Sequence, residues 1–120
     1  MSRRTLRVNE LLRDQISDIL RREARDPRLE TMVSITEVET SQDLRHAKVH
    51  VSIMATEEER EAAIKALRTA GPFIHRQLRQ RLPDLRLIPE LSFHRDDSIE
   101  RGAQLTQTLI ELARERGELP

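Results

Sequence analysis

Apolar residues recur at helical spacing in two long stretches of the chain. From Thr5 to Ala24 they return every three or four positions with charged residues between them, which predicts an amphipathic first helix that ends at Asp26-Pro27. After Thr56, which can cap a helix, the acidic run Glu57 to Glu59 suits the start of a second helix. The residues predicted to face the core are Val8, Leu11, Leu12, Ile16, Ile19 and Leu20 in the first helix and Ala63, Ile64 and Leu67 in the second.

Between these helices, two stretches alternate with the period of two that strands require. The apolar positions of residues 33–38 slip by one, so that Val38 rather than Glu37 is apolar, which predicts a strand with a bulge. After the turn residues Ser41-Gln42-Asp43, a second strand follows with one buried and one exposed face. Its buried residues are predicted to be Ala47, Val49, Val51 and Ile53, and its exposed residues His46, Lys48, His50 and Ser52.

The second helical stretch is interrupted at Ala70-Gly71-Pro72 and then resumes. Because glycine is poorly suited to a helix interior and proline is well suited to a first turn, the interruption predicts a kinked pair of helices. Leu87, Leu91 and Phe93 then indicate a third strand with Pro89 near its start.

A last helix is predicted after the third strand. One of Asp96, Asp97 and Ser98 is expected to cap it, and Gly117 to end it. Its core-facing residues are predicted to be Ile99, Ala103, Leu109, Ile110 and Ala113. The order of elements favours an α+β domain with helices packed on one face of a three-stranded sheet.

Length and composition narrow the class of protein. A chain of 120 residues without a repeat or linker predicts one domain over residues 1–120, with its first few residues and its C-terminal end flexible. The absence of cysteine and of an apolar run near the ~20 residues of a membrane span leads us to expect a cytoplasmic protein without membrane contact. The formal net charge is zero, but residues 65–96 hold seven basic and three acidic residues. Only Phe73 and Phe93 are aromatic, which disfavours a protein that reads single-stranded bases by stacking.

Neither the histidines nor the carboxylates form a catalytic or metal-binding pattern. His46 and His50 lie roughly 13 Å apart on a strand that rises ~3.3 Å per residue, too far for one zinc ion with ~2 Å ligand bonds. The other histidines, His75 and His94, have no ligand partner near them in sequence. The pair Asp96-Asp97 precedes a helix, where carboxylates are more often capping groups than an acid-base pair. We therefore expect no catalytic residue, no metal and no cofactor.

Four segments resemble the ribosome-binding factor A family in order and spacing. They are Asp26-Pro27-Arg28, Ser41-Gln42-Asp43-Leu44-Arg45-His46-Ala47-Lys48-Val49, Arg86-Leu87-Ile88-Pro89-Glu90-Leu91-Ser92-Phe93 and Asp97-Ser98-Ile99-Glu100-Arg101-Gly102. The resemblance runs from about Arg7 to Leu112 and implies a type II KH-like fold, in which a tight junction between two helices helps to hold RNA. It also implies a non-enzymatic assembly factor that binds the free small (30S) ribosomal subunit and assists late maturation and processing of its 16S ribosomal RNA. We expect it to act as a monomer.

The family's helix junction maps onto Ala70-Gly71-Pro72, with Pro72 where a second small residue is usual and His75 where an arginine is common. Because proline has no N–H, residue 72 cannot donate to RNA through its backbone. Arginines beside the junction could meet a phosphate together with the N-terminus of the second half-helix. The predicted RNA-binding residues are Arg3, Arg4, Arg7, Arg45, Lys48, Arg68, Ala70, Gly71, Arg76 and Arg79.

Two other classes of function stay open at this point. In the first, the chain is a protein-protein adaptor without direct RNA contact, whose helix faces bind another polypeptide. In the second, it is a small hydrolase, although no hydrolase motif is present. Salt dependence separates RNA binding from the adaptor, because RNA affinity falls steeply with salt while an apolar protein contact responds weakly.

Overall fold

The structure is a computed structural model that describes residues 2–22 and 33–118. Its elements are α1 (Arg3–Arg22), β1 (Val33–Thr40), β2 (His46–Ile53), α2 (Glu57–Arg81), β3 (Glu90–Arg95) and α3 (Ser98–Glu115). The predicted α+β class with a three-stranded sheet is confirmed. The predicted end of the first helix at Asp26-Pro27 lies outside the described residues. Among the helices that are described, none is long and apolar enough to cross a membrane.

The strands are ordered β1-β2-β3 in the sheet. β1 is antiparallel to β2 through a short hairpin, and β2 is parallel to β3. A parallel neighbour requires a long crossover, which α2 supplies. The pairing of β1 with β2 shifts between Ile35 and Glu37, so the predicted bulge is confirmed and its extra residue is Thr36.

The hydrophobic core lies between one face of the sheet and the helices α1 and α2. Every apolar residue predicted to be buried in β2 is 5% exposed or less. The core residues of the other elements include Val8, Leu12, Ile16, Ile19 and Leu20 from α1 and Ala63, Ile64, Leu67, Ile74 and Leu78 from α2. The helical and strand periodicities of these segments therefore predicted the core correctly.

Three residues differ from the prediction in how exposed they are to solvent. Leu11 on α1 is 36% exposed, because it lies at the margin of the buried face. Leu87 is 47% exposed and precedes β3, while its neighbour Ile88 is buried instead. Ser52 was predicted to be exposed and is buried, because β3 leads into α3 beside this end of β2, where the Asp96 N–H donates to the Val51 carbonyl.

The signals for helix ends are confirmed by hydrogen bonds. Thr56 and Glu59 form a reciprocal capping box at the start of α2. At the end of α3, Gly117 adopts φ 75°, and its N–H and that of Glu118 donate to the carbonyls of Arg114 and Ala113. This is the Schellman arrangement, in which glycine permits the left-handed backbone that closes a helix.

The last helix does not pack as predicted. Ala103 and Leu109 are exposed, and Ile110 and Ala113 are only partly buried. Three leucines at helical spacing point away from the described chain: Leu105, Leu109 and Leu112 are 61%, 58% and 43% exposed. An amphipathic pattern shows which residues share a face, but it does not show that the same chain covers that face.

α1 and α2 are joined by an ion pair between Asp18 and Arg81 at 2.6 Å. This hydrogen bond, followed by the one from Arg21, lowers the pKa of Asp18 from its ordinary 3.8 to about 2. A carboxylate with a lowered pKa contributes stability above its ordinary pKa and loses it as the pH falls through the folded-state value.

We therefore expect Asp18→Asn to lower the melting temperature at neutral pH. The difference from the parent should shrink below pH 3.8 and be mostly lost near pH 2, where about half of the parent carboxylate is protonated. Thermal melts across this range provide the measurement. Asp14→Asn, at an exposed position of the same helix, is the matched control and should change little at any pH. A difference that persisted unchanged at pH 2 would show that Asp18 acts through packing rather than charge.

Candidate nucleic-acid interface

Most of the predicted RNA-binding residues are exposed. The exposed side chains are Arg3, Arg4 and Arg7 on α1, Arg45 in the hairpin turn, Lys48 on β2 and Arg68, Arg76 and Arg79 on α2. None of them forms an ion pair with an acidic side chain of the described residues. Most of the other basic residues of α2 and β3 do, since Arg60, Arg81 and Arg95 are each paired with carboxylates. The predicted residues are thus available to a phosphate, as are other exposed basic residues such as Arg13, Lys65 and Arg86.

Backbone contacts bring the elements that carry these residues to one end of the sheet, which we call the hairpin end: the turn of residues 41–45 and the start of β3. The Glu90 N–H donates to the Arg45 carbonyl at 2.8 Å. The Nε2 atom of His75 on α2 lies 3.1 Å from the Ile88 carbonyl, just before β3. α2 therefore passes beside the hairpin at His75, next to Arg76.

A groove opens between these elements. It is lined by Arg45, His46, His75, Leu87, Ile88 and Glu90. Leu87 and Ile88 are its apolar lining residues, and the others are polar, with Glu90 as the acidic one. A groove of this kind, with guanidinium groups at its margin, can hold a phosphodiester backbone by charge and shape without stacking any base.

The first helix also reaches the hairpin end. The Thr40 N–H, at the end of β1, donates to the Asn9 Oδ1 atom on α1 at 2.8 Å. Arg7 is two residues from Asn9, whereas Arg3 and Arg4 lie about one turn further along the helix. The sequence predicted a helix from Thr5, but α1 begins at Arg3, and Ser2 caps it by accepting the Thr5 N–H. The arginines are therefore held at fixed intervals on a helix.

The predicted kinked pair of helices around Ala70-Gly71-Pro72 is one continuous helix in the structure. α2 continues from Glu57 to Arg81 with Pro72 inside it. Proline removes one intrahelical hydrogen bond and crowds the carbonyl four residues earlier, so a bend is expected without an end. The second half of α2 consequently has no N-terminus of its own, and the expected dipole-assisted phosphate site is wrong. The proposed phosphate contacts near Pro72 therefore depend on the arginine side chains of α2 alone.

Arg68 has a structural role that the sequence did not indicate. Its Nε and NH2 groups donate to the Phe93 carbonyl on β3 at 3.3 and 3.1 Å. β3 is an edge strand, and this contact occupies one of its unpaired carbonyls. Arg68 is thus less available to RNA than Arg76 and Arg79.

Gly71 is partly buried, and a Cβ atom added to it would lie 3.9 Å from the Phe93 ring, an ordinary van der Waals distance. We expect Gly71→Ala to fold and to raise the free energy of unfolding by roughly 0.5–1 kcal/mol, because alanine is favoured over glycine in a helix interior. Denaturant titration provides the measurement. If RNA approaches the backbone at this position, the same variant binds more weakly despite its greater stability. A loss of stability would show that the helix needs glycine here.

The acidic residues considered for catalysis serve structural purposes. Asp96 accepts hydrogen bonds from the Ser98 N–H at 3.0 Å and from the Thr36 hydroxyl at 2.7 Å. The bonds from Ser98 and Thr36 lower the pKa of Asp96 to about 2. Asp97 instead pairs with Arg95, which also binds the Glu57 carboxylate. The N-cap position of α3 is Asp97, whose side chain forms no capping hydrogen bond, and the Ser98 N–H at the start of the helix donates to Asp96 instead.

His75 is the functional candidate that the sequence pattern understated. The resemblance places His75 where an arginine is common in the family, but the predicted RNA-binding residues do not include it. In the structure it lines the groove opposite Arg45. Helical spacing could have indicated it, because His75 lies four residues before Arg79 on the same side of α2.

Comparison with known proteins agrees with this fold. The family model of ribosome-binding factor A matches residues 4–109. The ribosome-binding factor A of Thermomicrobium roseum is 50% identical over 115 residues, which cover 96% of this chain and 88% of that protein. The solution structure of a ribosome-binding factor A from Thermotoga maritima is 31% identical, with a TM-score of 0.67 over 78% of this chain and 88% of that one.

A third relative is known in a complex. The Thermus thermophilus ribosome-binding factor A, as fitted into a cryo-electron microscopy map of a complex with the 30S subunit, is 25% identical with a TM-score of 0.62. The match covers 74% of this chain and 91% of the Thermus thermophilus chain. The match to the family model over most of the chain, together with a half-identical relative of which 88% is covered, decides the assignment. The chain belongs to the ribosome-binding factor A family.

Proposed function

We propose that this protein is a cytoplasmic, monomeric assembly factor that binds the free small ribosomal subunit and assists late maturation and processing of its 16S ribosomal RNA. The observation that carries the proposal is the group of exposed, unpaired arginines at the hairpin end, on a fold shared with a relative that forms a 30S complex. The function is binding rather than catalysis.

Phosphate contacts supply the affinity in this proposal. Arg45 lines the groove, Arg76 and Arg79 follow the groove-lining His75 on α2, and Arg7 and Lys48 are further exposed basic side chains. Guanidinium groups form paired hydrogen bonds to phosphate oxygens. The shape of a folded RNA junction supplies specificity, because both aromatic residues of the chain are at least partly buried and cannot form a stacking platform.

The proposal is tested by the affinity of the protein for purified small subunits at a series of salt concentrations. We expect a steep linear fall of log affinity with log salt concentration, because each neutralised phosphate releases condensed counterions and contributes roughly 0.7–0.9 to the slope. Three to five phosphate contacts would thus give a slope of roughly −2 to −4. A slope near zero would contradict phosphate binding.

A protein-protein adaptor remains the second candidate, and the exposed leucines of α3 favour it. Leu105, Leu109 and Leu112 form one apolar stripe that the described chain leaves uncovered. Helical stripes with this spacing are the usual means by which a helix enters an apolar groove of a partner.

Replacing Leu105, Leu109 and Leu112 together with glutamine separates the two candidates. Glutamine has a helix propensity close to that of leucine, and the positions are exposed, so each change should alter stability by no more than ~0.5 kcal/mol. Under the RNA-binding proposal the triple variant binds small subunits as the parent does, with the same salt slope. Loss of binding with an unchanged melting temperature would favour the adaptor.

A further inference from the structure

We infer that the open face of the sheet carries a binding site for a divalent transition-metal ion, formed by Glu37, Glu39 and His50, with zinc as the ion that its ligand types suit. Its ligands lie beside Lys48, the register partner of Glu39, but none of them is a proposed RNA-binding residue, and the inference does not depend on RNA binding. One ligand atom from each of these residues lies within 4.8 Å of the others.

Strand pairing produces this cluster. Glu37 and Glu39 are two residues apart on β1, so their side chains share a face, and the bulge at Thr36 sets which face that is. His50 is the partner of Glu37 in the register of β2. The open face is not covered by α1 or α2, and Glu37 is exposed, so an ion and its water ligand can enter from solvent.

The spacing of the ligand atoms fits coordination of one ion. The His50 Nε2 atom lies 3.1 Å from the Glu39 Oε1 atom. Two ligands at ~2.0–2.1 Å from a tetrahedral zinc ion lie about 3.3 Å apart, so this pair needs little movement. Glu37 completes three protein ligands, and water would take the fourth position, as in zinc sites that keep one position open.

His50 supplies an independent indication. Its Nε2 atom is shielded from solvent and has no hydrogen-bond partner among the described residues, since the contact with Glu39 lacks hydrogen-bond geometry. A shielded nitrogen that faces two carboxylates without such a bond is satisfied either by a proton and an ion pair or by a metal ion. The metal ion satisfies all three side chains together.

The charges around the cluster permit a cation. Two carboxylates offset the charge of a divalent ion. The nearby positive side chains include Lys48, the register partner of Glu39, and Arg13 of α1, which lines a surface pocket with Glu37. The ring of His94 lies 5.9 Å from that of His50.

Isothermal titration of zinc chloride into untagged, chelator-treated full-length protein tests the inference. We expect one zinc ion to bind per chain, with a rise in melting temperature on saturation. Glu37→Gln, Glu39→Gln and His50→Asn should each weaken binding by at least the ~10-fold that loss of a supporting residue costs at metal sites. His46→Asn is the matched control, because His46 is an exposed histidine on the same face of β2, and it should bind as the parent does.

A second readout is the visible spectrum with cobalt in place of zinc, which should show d-d absorption in the parent that is absent in Glu39→Gln. The two glutamate variants alter exposed or half-exposed side chains, so the test holds even if His50→Asn proves unstable. Absence of saturable binding would overturn the inference. So would equal weakening in His46→Asn and His50→Asn, which would show an adventitious ion only.

Discussion

Replacing Val49 with aspartate is expected to unfold the domain. Val49 is 0% exposed in the central strand, with Val38 on one side and Phe93 on the other in the register of the sheet. An unpaired carboxylate there costs roughly 3–5 kcal/mol in addition to the lost packing. Small domains have only about 5–15 kcal/mol of stability in total. The far-ultraviolet circular dichroism of the variant should therefore lack the helical signal of the parent.

Met54→Asp is the matched control for this prediction. Met54 directly follows β2 but is 65% exposed, so the same charge would remain in water. We expect a melting temperature close to that of the parent. If Val49→Asp retained a cooperative melt near that of the parent, the assignment of the buried face of β2 would be wrong.

Replacing Arg76 and Arg79 together with glutamine is expected to have the largest effect on binding. Both side chains are exposed on α2, one and four residues after the groove-lining His75, and neither is paired with an acidic side chain of the described chain. Glutamine keeps the length and helix propensity while removing the charge. The double variant should melt as the parent does, bind small subunits more weakly, and show a salt slope shallower by roughly one unit per lost phosphate contact.

Arg114 and Arg116 provide the control for net charge. They are exposed at the far end of the chain, so their double replacement with glutamine removes the same charge from α3. It should leave the salt slope nearly unchanged. If the Arg76/Arg79 variant bound with the same affinity and slope as the parent, the RNA surface would instead be placed on Arg7, Arg45 and Lys48.

Much of the fold could be predicted because its signals are local. The capping box of Thr56, the bulge at Thr36 and the left-handed Gly117 each depend on a few neighbouring residues. The buried face of β2 follows from strict alternation. The departures come from tertiary context: Ser52 is buried by the chain that leaves β3, and α3 presents leucines that the described chain leaves uncovered.

The candidate sites were only partly predictable for the same reason. The sequence identified the arginines, but it could not show that Arg68 binds the Phe93 carbonyl or that His75 lines the same groove as Arg45. It also excluded a metal site by considering spacing along one strand. The cluster around His50 combines side chains from two strands, and its existence depends on the register of their pairing.

Sedimentation of the protein with ribosomal particles tests the central claim most directly. Cell extract containing the tagged protein is separated on sucrose gradients at low and at moderate salt, and the fractions are probed for the tag. The proposed function predicts that the protein migrates with free small subunits and not with assembled ribosomes, and that moderate salt moves it to the top of the gradient. A protein that stayed at the top at both salt concentrations, or that migrated equally with assembled ribosomes, would contradict it.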